Sequence, residues 1–263
     1  MKAAVLGSPI AHSLSPALHE AGFAALGLAN WQYDSFEVTT AELEAFLAAN
    51  AEEYEGFSLT MPLKRRAFEL AKQHTKAAAD SGVANTLVKI TGGWEADNTD
   101  IGGIVDVLRP HWKDYHDAAV LGAGATATSA LIALRDLGAR RVFVYARDLE
   151  AAARLAELGE QVGVAVAPNR LVSWEQNEAP ALVSTLPAGV IGPDDIERYA
   201  FSNVKVLLDV VYDGWPTPLA QAGAAAGATV VSGKELLVRQ AARQFELFTG
   251  REAPIAAMAE AAK

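Results

Sequence analysis

At 263 residues the chain can bury one large core or two modest ones. Its formal net charge of −10 argues against a nucleic-acid or anionic-membrane partner, and the lack of any cysteine excludes disulfides, thiolate nucleophiles and Cys-based metal sites. The apolar start is broken by Gly7 and Pro9, which suits a strand and turn rather than a leader peptide, and no stretch approaches the ~20 apolar residues of a membrane span. A cytoplasmic location is the expectation.

Taken in order, residues 2–7 predict a buried strand ending in Gly-Ser-Pro, and Pro16 suits the first position of a helix reaching Leu28. Residues 31–38 predict the next strand. Thr39 or Thr40 is expected to open a helix through Leu43, Phe46 and Leu47, with Glu42 closing a capping box if Thr39 is the cap. A third strand, residues 54–61, ends at Pro62 and is followed by a helix over 64–73. Residues 86–90 and 94–96 flank Thr91-Gly92-Gly93, a hairpin turn. Asn98 or Thr99 can cap the following helix, which runs through Ile101, Ile104, Val105 and Leu108 to Pro110.

Residues 118–121 form an apolar strand, and Gly122-Ala123-Gly124-Ala125-Thr126-Ala127 opens a helix through Leu137. This is a G-x-G-x-x-A turn with a strand before it, a helix after it and a further strand at 141–146. Gly122 permits the tight turn, Gly124 lets a pyrophosphate approach the backbone, and Ala127 lets the helix pack closely on the strand. Helix 149–158, strands 162–167, 181–185 and 205–211, a Pro-rich turn at 215–218, helix 219–226, strand 228–231 and a long helix 235–249 complete the pattern. The fold class is therefore α/β: an N-terminal, mostly parallel α/β domain and a C-terminal Rossmann-like dinucleotide-binding domain.

Polar residues gather at element ends in the first half: Ser13 and Ser15, Thr60 with Lys64, Asn85 with Thr86, and Asp100. Singly, each has a bland explanation, since hydroxyls at helix starts cap, first-turn lysines are solvated, and an N-terminal Asp favours the helix dipole. Several follow strands, however, and the carboxyl ends of parallel strands form the ligand edge of a sheet. Asp100 also falls between the two α/β halves, where small-molecule sites tend to form. Hydroxyls, an amide, an ammonium and a carboxylate suit a small, polyhydroxylated, acidic ligand. The five histidines lack ligand spacing, so His12 and His19 read as polar or packing residues and no metal is expected.

Seven motifs in this order resemble the shikimate dehydrogenase family over nearly the whole chain. They are Ser13-Leu14-Ser15-Pro16, Thr60-Met61-Pro62-Leu63-Lys64, Ala84-Asn85-Thr86, Asn98-Thr99-Asp100, the Gly122 to Ala127 turn, Asp209 to Tyr212 with Thr217-Pro218-Leu219, and Leu237 to Phe245 with Gln240. The Thr-Met-Pro and Asp-Asn-Thr-Asp forms are similar to those of actinobacterial members.

The resemblance implies NADPH-dependent, reversible reduction of 3-dehydroshikimate to shikimate in the chorismate pathway. It implies Lys64 and Asp100 as the catalytic pair, with Ser13, Ser15, Thr60, Asn85, Tyr212 and Gln240 as further substrate contacts. Gly122 to Ala127, Ala146, Arg147, Thr185 and Gly233 would hold NADP. It also implies a substrate-binding domain over 1–101 completed by a terminal helix at 234–263, a dinucleotide domain over 102–233, and a monomer or homodimer. A ketone receiving hydride becomes an alkoxide; an ammonium can stabilise and protonate it, and a carboxylate can orient the ammonium. The sequence leaves open which of Lys64 and Asp100 finally carries the proton.

Three departures stand out. Ser58 replaces the usual Asn, Gly82-Val83-Ala84 replaces Gly-Ala-Val, and Ala146-Arg147-Asp148 replaces Asn-Arg-Thr/Ser, with Ala151 where a second cation is usual. The last motivates an alternative, a quinate/shikimate dehydrogenase preferring NAD. A non-catalytic ligand-sensing relative is a third reading, opposed by the presence of both Lys64 and Asp100.

Overall fold

The computed structural model describes residues 1–196 and 201–262, and the chain divides into two compact units: Met1–Gly103 with Leu237–Lys263, and Ile104–Leu236. The first unit begins with β1 (Lys2–Gly7), α1 (Ser15–Ala25), β2 (Gln32–Glu37), α2 (Leu43–Asn50), β3 (Gly56–Leu59) and α3 (Lys64–Leu70). β4 (Gln73–His74), α4 (Lys76–Ser81), β5 (Thr86–Ile90), β6 (Gly93–Asp97) and α5 (Thr99–Leu108) follow.

The first sheet has the order β2-β1-β3-β5-β6-β4. β1 is parallel to β2 and β3, whereas β5 is antiparallel to both β3 and β6. Reversing only β5 has one consequence for the site. Its amino end, at Asn85-Thr86, lies on the same edge as the carboxyl ends of β1, β3 and β6. Both faces of the sheet are covered, as parallel packing requires. Val5 joins the core formed by Leu18, Phe23, Trp31, Phe245 and Met258, while its neighbours Ala4 and Leu6 join Leu43, Leu47, Phe57, Leu63 and Trp94. Successive side chains of a strand point to opposite faces, so one apolar run serves two cores.

The second unit contains β7 (Asp117–Leu121), α6 (Ala125–Asp136), β8 (Arg141–Ala146), α7 (Leu149–Val162), β9 (Ala165–Arg170), β10 (Ala181–Ser184) and α8 (Pro193–Ile196). β11 (Val206–Asp209), α9 (Pro218–Ala225) and β12 (Thr229–Ser232) complete its sheet; the chain then enters α10 (Gly233–Thr249), which from Leu237 onward belongs with α11 (Ile255–Ala261) to the first unit. Its strands are all parallel, in the order β12-β11-β10-β7-β8-β9. That is the doubly wound dinucleotide-binding order, with the reversal between β7 and β10.

Several elements depart from the sequence-based expectation. α2 begins at Leu43 rather than near Thr39, because residues 39–42 form a turn in which Glu42 accepts from both the Thr39 N–H and its hydroxyl. α3 stops at Leu70, leaving Gln73–His74 free to pair with β6 as β4. α4 was not foreseen, although Thr75 caps it and Gly82 ends it at φ 63°. Helix α7 runs on to Val162 and ends at Gly163, so the next strand is β9 rather than residues 162–167. Gly159 does not stop that helix; a Cβ there would lie 2.5 Å from Val166 Cγ2, so glycine permits close packing on β9. α11 was missed because seven residues rich in alanine show little periodicity; it packs against α1 through Met258 and Gly22.

Candidate active site

On the ligand edge of the first sheet, Lys64 opens α3 and Asp100 lies in the first turn of α5. Lys64 Nζ donates to Asp100 Oδ2 at 2.5 Å, and both side chains are largely buried. The other carboxylate oxygen, Oδ1, accepts from Asn85 Nδ2 at 2.9 Å. Asn85 precedes β5 and is almost fully buried. The same Nδ2 group faces Thr99 Oγ1 at 2.9 Å and Gln240 Oε1 at 3.2 Å, so two amide protons are shared among three acceptors. Asn85 Oδ1 accepts from the Thr99 N–H and the Thr86 hydroxyl, both at 2.8 Å. An amino-terminal N–H of α5 is therefore satisfied by a side chain from another element, beyond the expected local caps Asn98 and Thr99.

Gln244, one helical turn after Gln240 on α10, extends the network. Its Nε2 donates to Asn85 O and Thr86 Oγ1, both at 2.9 Å, and its Oε1 accepts from Ser58 Oγ at 2.8 Å. Ser58 in turn accepts from the Tyr33 hydroxyl at 2.6 Å. Tyr33 stacks on His19 with ring centres 4.1 Å apart, and His19 Nδ1 lies 2.9 Å from Ser15 O. Burial raises the pKa of Tyr33 and lowers that of His19 to about 4, so the ring is neutral and its Nδ1–H donates to Ser15 O. Tyr33 also hydrogen-bonds the Ser15 side chain, so a continuous polar path joins the Ser13–Ser15 loop to the Lys64–Asp100 pair. Ser13 Oγ accepts the Ser15 N–H at 3.3 Å, which shapes that loop. Thr60 is positioned through its backbone: its N–H reaches Leu6 O and its carbonyl receives the Leu63 N–H.

The second unit presents a different construction. Gly122 follows β7 with φ 103°, and a Cβ there would lie 2.5 Å from Thr185 Oγ1. That hydroxyl donates to Leu121 O at 2.8 Å. Gly124 sits before α6 in an extended conformation, and a Cβ there would meet nothing within 4 Å. No side chain caps α6, so its first N–H groups face outward from residues 125–127, while Ala127 is fully buried against the sheet. An open glycine before an uncapped helix of this length fits an anionic pyrophosphate.

Gly233, at the start of α10, is required by packing: a Cβ there would lie 2.2 Å from Val210 O. Asp209 is buried, which raises its pKa against the opposing Thr217 hydroxyl at 2.6 Å and the Val211 N–H. It borders a cavity of about 230 Å³ with Ser184, Leu186, Val211 and Thr217. Tyr212 lies in this unit, its pKa raised by burial and then by the Asp213 carboxylate.

The family model described as the shikimate dehydrogenase substrate binding domain matches residues 5–87, and the one described as the shikimate 5'-dehydrogenase C-terminal domain matches 233–263. A curated relative from Methanopyrus kandleri, named shikimate dehydrogenase (NADP(+)), is 35% identical over 98% of this chain and 93% of its own length. The chain belongs to the shikimate dehydrogenase family. Among solved structures of this family, the Mycobacterium tuberculosis shikimate dehydrogenase is 44% identical with a TM-score of 0.89, covering 99% of this chain and 98% of that one. The Thermus thermophilus shikimate 5-dehydrogenase, solved in complex with NADP(H) and shikimate, is 30% identical with a TM-score of 0.88, covering 100% of this chain and 98% of that one.

Of the residues that the shikimate dehydrogenase motifs mark, hydrogen bonds join Lys64, Asp100, Asn85 and Gln240 directly, and Ser15 through Tyr33 and Gln244. Ser13 and Thr60 lie on loops at the same sheet edge, and Tyr212 belongs to the second unit. Sequence reasoning missed Gln244, Tyr33 and Thr99 as members of this network. The i, i+4 spacing of Gln240 and Gln244 was the available signal, since it places both amides on one helix face. Tyr33 offered none, for a tyrosine in an edge strand reads as packing. The mild departure Ser58 is part of the polar path, beyond a change of packing.

Proposed function

We propose that the protein is an NADP-linked shikimate dehydrogenase, reversibly reducing 3-dehydroshikimate to shikimate. The observation that carries this reading is the Lys64–Asp100 pair, buried on the ligand edge and tied through Asn85 to Gln240. The hydroxyls of Ser13 and Ser15 take the substrate carboxylate, while Thr60, Asn85 and Gln240 contact the carboxylate or the ring hydroxyls. Tyr212 is assigned to the substrate by family resemblance alone. The Gly122 to Ala127 turn, Thr185 and Arg147 are the residues that would hold NADP, which when bound supplies or accepts the hydride.

As negative charge gathers on the carbonyl oxygen, the Lys64 ammonium stabilises it without reorganising, because Asp100 Oδ2 already fixes its direction. Asn85 holds the opposite carboxylate oxygen, so Asp100 cannot turn away. The pair protonates the alkoxide and, in reverse, accepts the hydroxyl proton. A neutral oxygen needs no such help, so the contribution falls mainly on the transition state.

The test is a spectrophotometric assay of shikimate and quinate, each with NADP and NAD. Turnover of shikimate with NADP, and much slower turnover of the other pairs, is the expected result; no turnover in any combination overturns the reading. The NAD-preferring alternative rests on the altered Ala146-Arg147-Asp148 segment, and the same assay decides it. The reading carries with it a cytoplasmic location and a monomer or homodimer. Among the described residues no helix is long and apolar enough to cross a membrane.

A further inference from the structure

The sequence leaves the 2′-phosphate of NADP with one obvious cation, Arg147, because Ala151 occupies the place of the usual second one. The sheet register supplies another. In the parallel pairing of β8 with β9, Tyr145 lies opposite Asn169 and Ala146 opposite Arg170. Neighbouring strands are separated by about 4.8 Å and Arg147 is one residue step beyond Ala146, so the two arginine Cα atoms fall within roughly 6 Å. Both side chains are exposed, and among the described residues neither guanidinium meets a carboxylate or any hydrogen-bond acceptor. The register thus brings two arginines together at the end of β8 in a chain with ten excess negative charges.

Their place in the fold says what they would meet. A dinucleotide crosses the carboxyl ends of a doubly wound sheet with its pyrophosphate at the first strand and its adenosine ribose at the second, here β7 and β8. The end of β8 presents the methyl of Ala146, with no Asp or Glu to bind the ribose hydroxyls and repel a phosphate there. Asp148 is nearby, but its Oδ1 accepts from the Glu150 N–H at 2.9 Å and the Ala151 N–H at 3.0 Å. Its carboxylate is thus committed to the amino terminus of α7, and Glu150 is the remaining exposed acid of that turn. Two planar forks that reached one dianion would relieve their mutual repulsion and could each bind it bidentately.

We propose that Arg170, from β9, is the second cation of the 2′-phosphate site and a determinant of NADP preference. This rests on the dinucleotide reading above. The test is calorimetric binding of adenosine 2′,5′-bisphosphate and of ADP, which lacks the 2′-phosphate, to the wild type, Arg147→Ala, Arg170→Ala and Arg170→Lys, with kcat/KM for NADP and NAD alongside. Arg170→Ala should weaken the 2′-phosphorylated ligand and kcat/KM for NADP by about tenfold, as for charged hydrogen bonds at an exposed site, with the loss shrinking at high salt. ADP affinity and kcat/KM for NAD should stay within about twofold. Arg170→Lys should recover part of the loss, because it keeps the charge without the fork. If Arg147→Ala loses the preference while Arg170→Ala keeps it, or if Arg170→Ala weakens both ligands equally, the inference is overturned and the dinucleotide reading stands. If the wild type turns over NAD as efficiently as NADP by kcat/KM, NADP preference itself is wrong and the inference falls with it.

Discussion

In the first unit the proposed chemistry is carried by side chains that have already found one another. Lys64, Asp100, Asn85, Thr99, Gln240, Gln244 and Ser58 are joined by hydrogen bonds in a largely buried cluster. In the second unit the proposed cofactor site is made of backbone and of missing side chains: a glycine at φ 103°, a second glycine with open space beside it, and an uncapped helix start. A ketone under reduction needs particular charges at particular atoms, which only oriented side chains provide. A pyrophosphate needs N–H groups and room, which every residue's backbone offers once Cβ is absent. The first site should therefore be sensitive to what is removed, and the second to what is added.

The largest test of this contrast is Lys64→Ala. Losing one preorganised donor should lower kcat by roughly 10²–10³-fold, with KM moving much less because the interaction is made chiefly in the transition state. Steady-state kinetics on the purified variant measures both, and a near-normal kcat would remove Lys64 from the mechanism.

Next in size is an effect of pH on the same network. Unfolded His19 takes up a proton near pH 6.5, whereas the buried, folded ring resists until about pH 4. The unfolded chain thus binds more protons between these values, and stability falls as pH drops through that window, by up to roughly 3 kcal/mol. Denaturant titrations from pH 7 to pH 4 should show the loss, and His19→Gln should flatten it. A wild-type profile without slope in this window would refute the assignment.

Ser15→Ala should cost ~1.5–3 kcal/mol of shikimate binding, the range for a hydrogen bond to a charged partner, and leave NADP affinity unchanged. Calorimetry with each ligand separately distinguishes the two; loss of NADP binding alone would mean that the cleft has been assigned the wrong way round. The smallest change to the free protein is expected from Gly124→Ala. Its extended backbone and open surroundings tolerate a methyl, so the melting temperature should stay within about 2 °C while NADP affinity falls at least several-fold. Unaltered NADP binding would contradict a backbone cradle at this position.

Much of both regions could be read before any coordinates. Strand and helix alternation predicted two α/β halves, and the G-x-G-x-x-A turn predicted β7, α6 and the helix start between them, because glycine requirements are local. Elements whose signal was local but short, α4 and α11, escaped. The helix expected over 149–158 stops short of Gly159, a residue whose place inside α7 only the packing of Val166 against it explains. In the site, Lys64, Asp100 and Asn85 could be named from motifs. The path through Gln244, Ser58, Tyr33 and His19 could not, since it joins residues separated by as many as 186 positions.

The sequence by itself determined the fold class, the family, the turn that suits a pyrophosphate and the titratable pair proposed for catalysis. These properties depend on residue type and on neighbours a few positions away, where backbone sterics and helix periodicity act. Tertiary structure alone decided which amide restrains Asp100, why Asn85 shares an edge with strands running the other way, and that Arg170 stands beside Arg147. Each of these is a matter of register between strands or packing between distant segments. Such contacts are set by the joint burial of many side chains, and no stretch of sequence encodes them on its own.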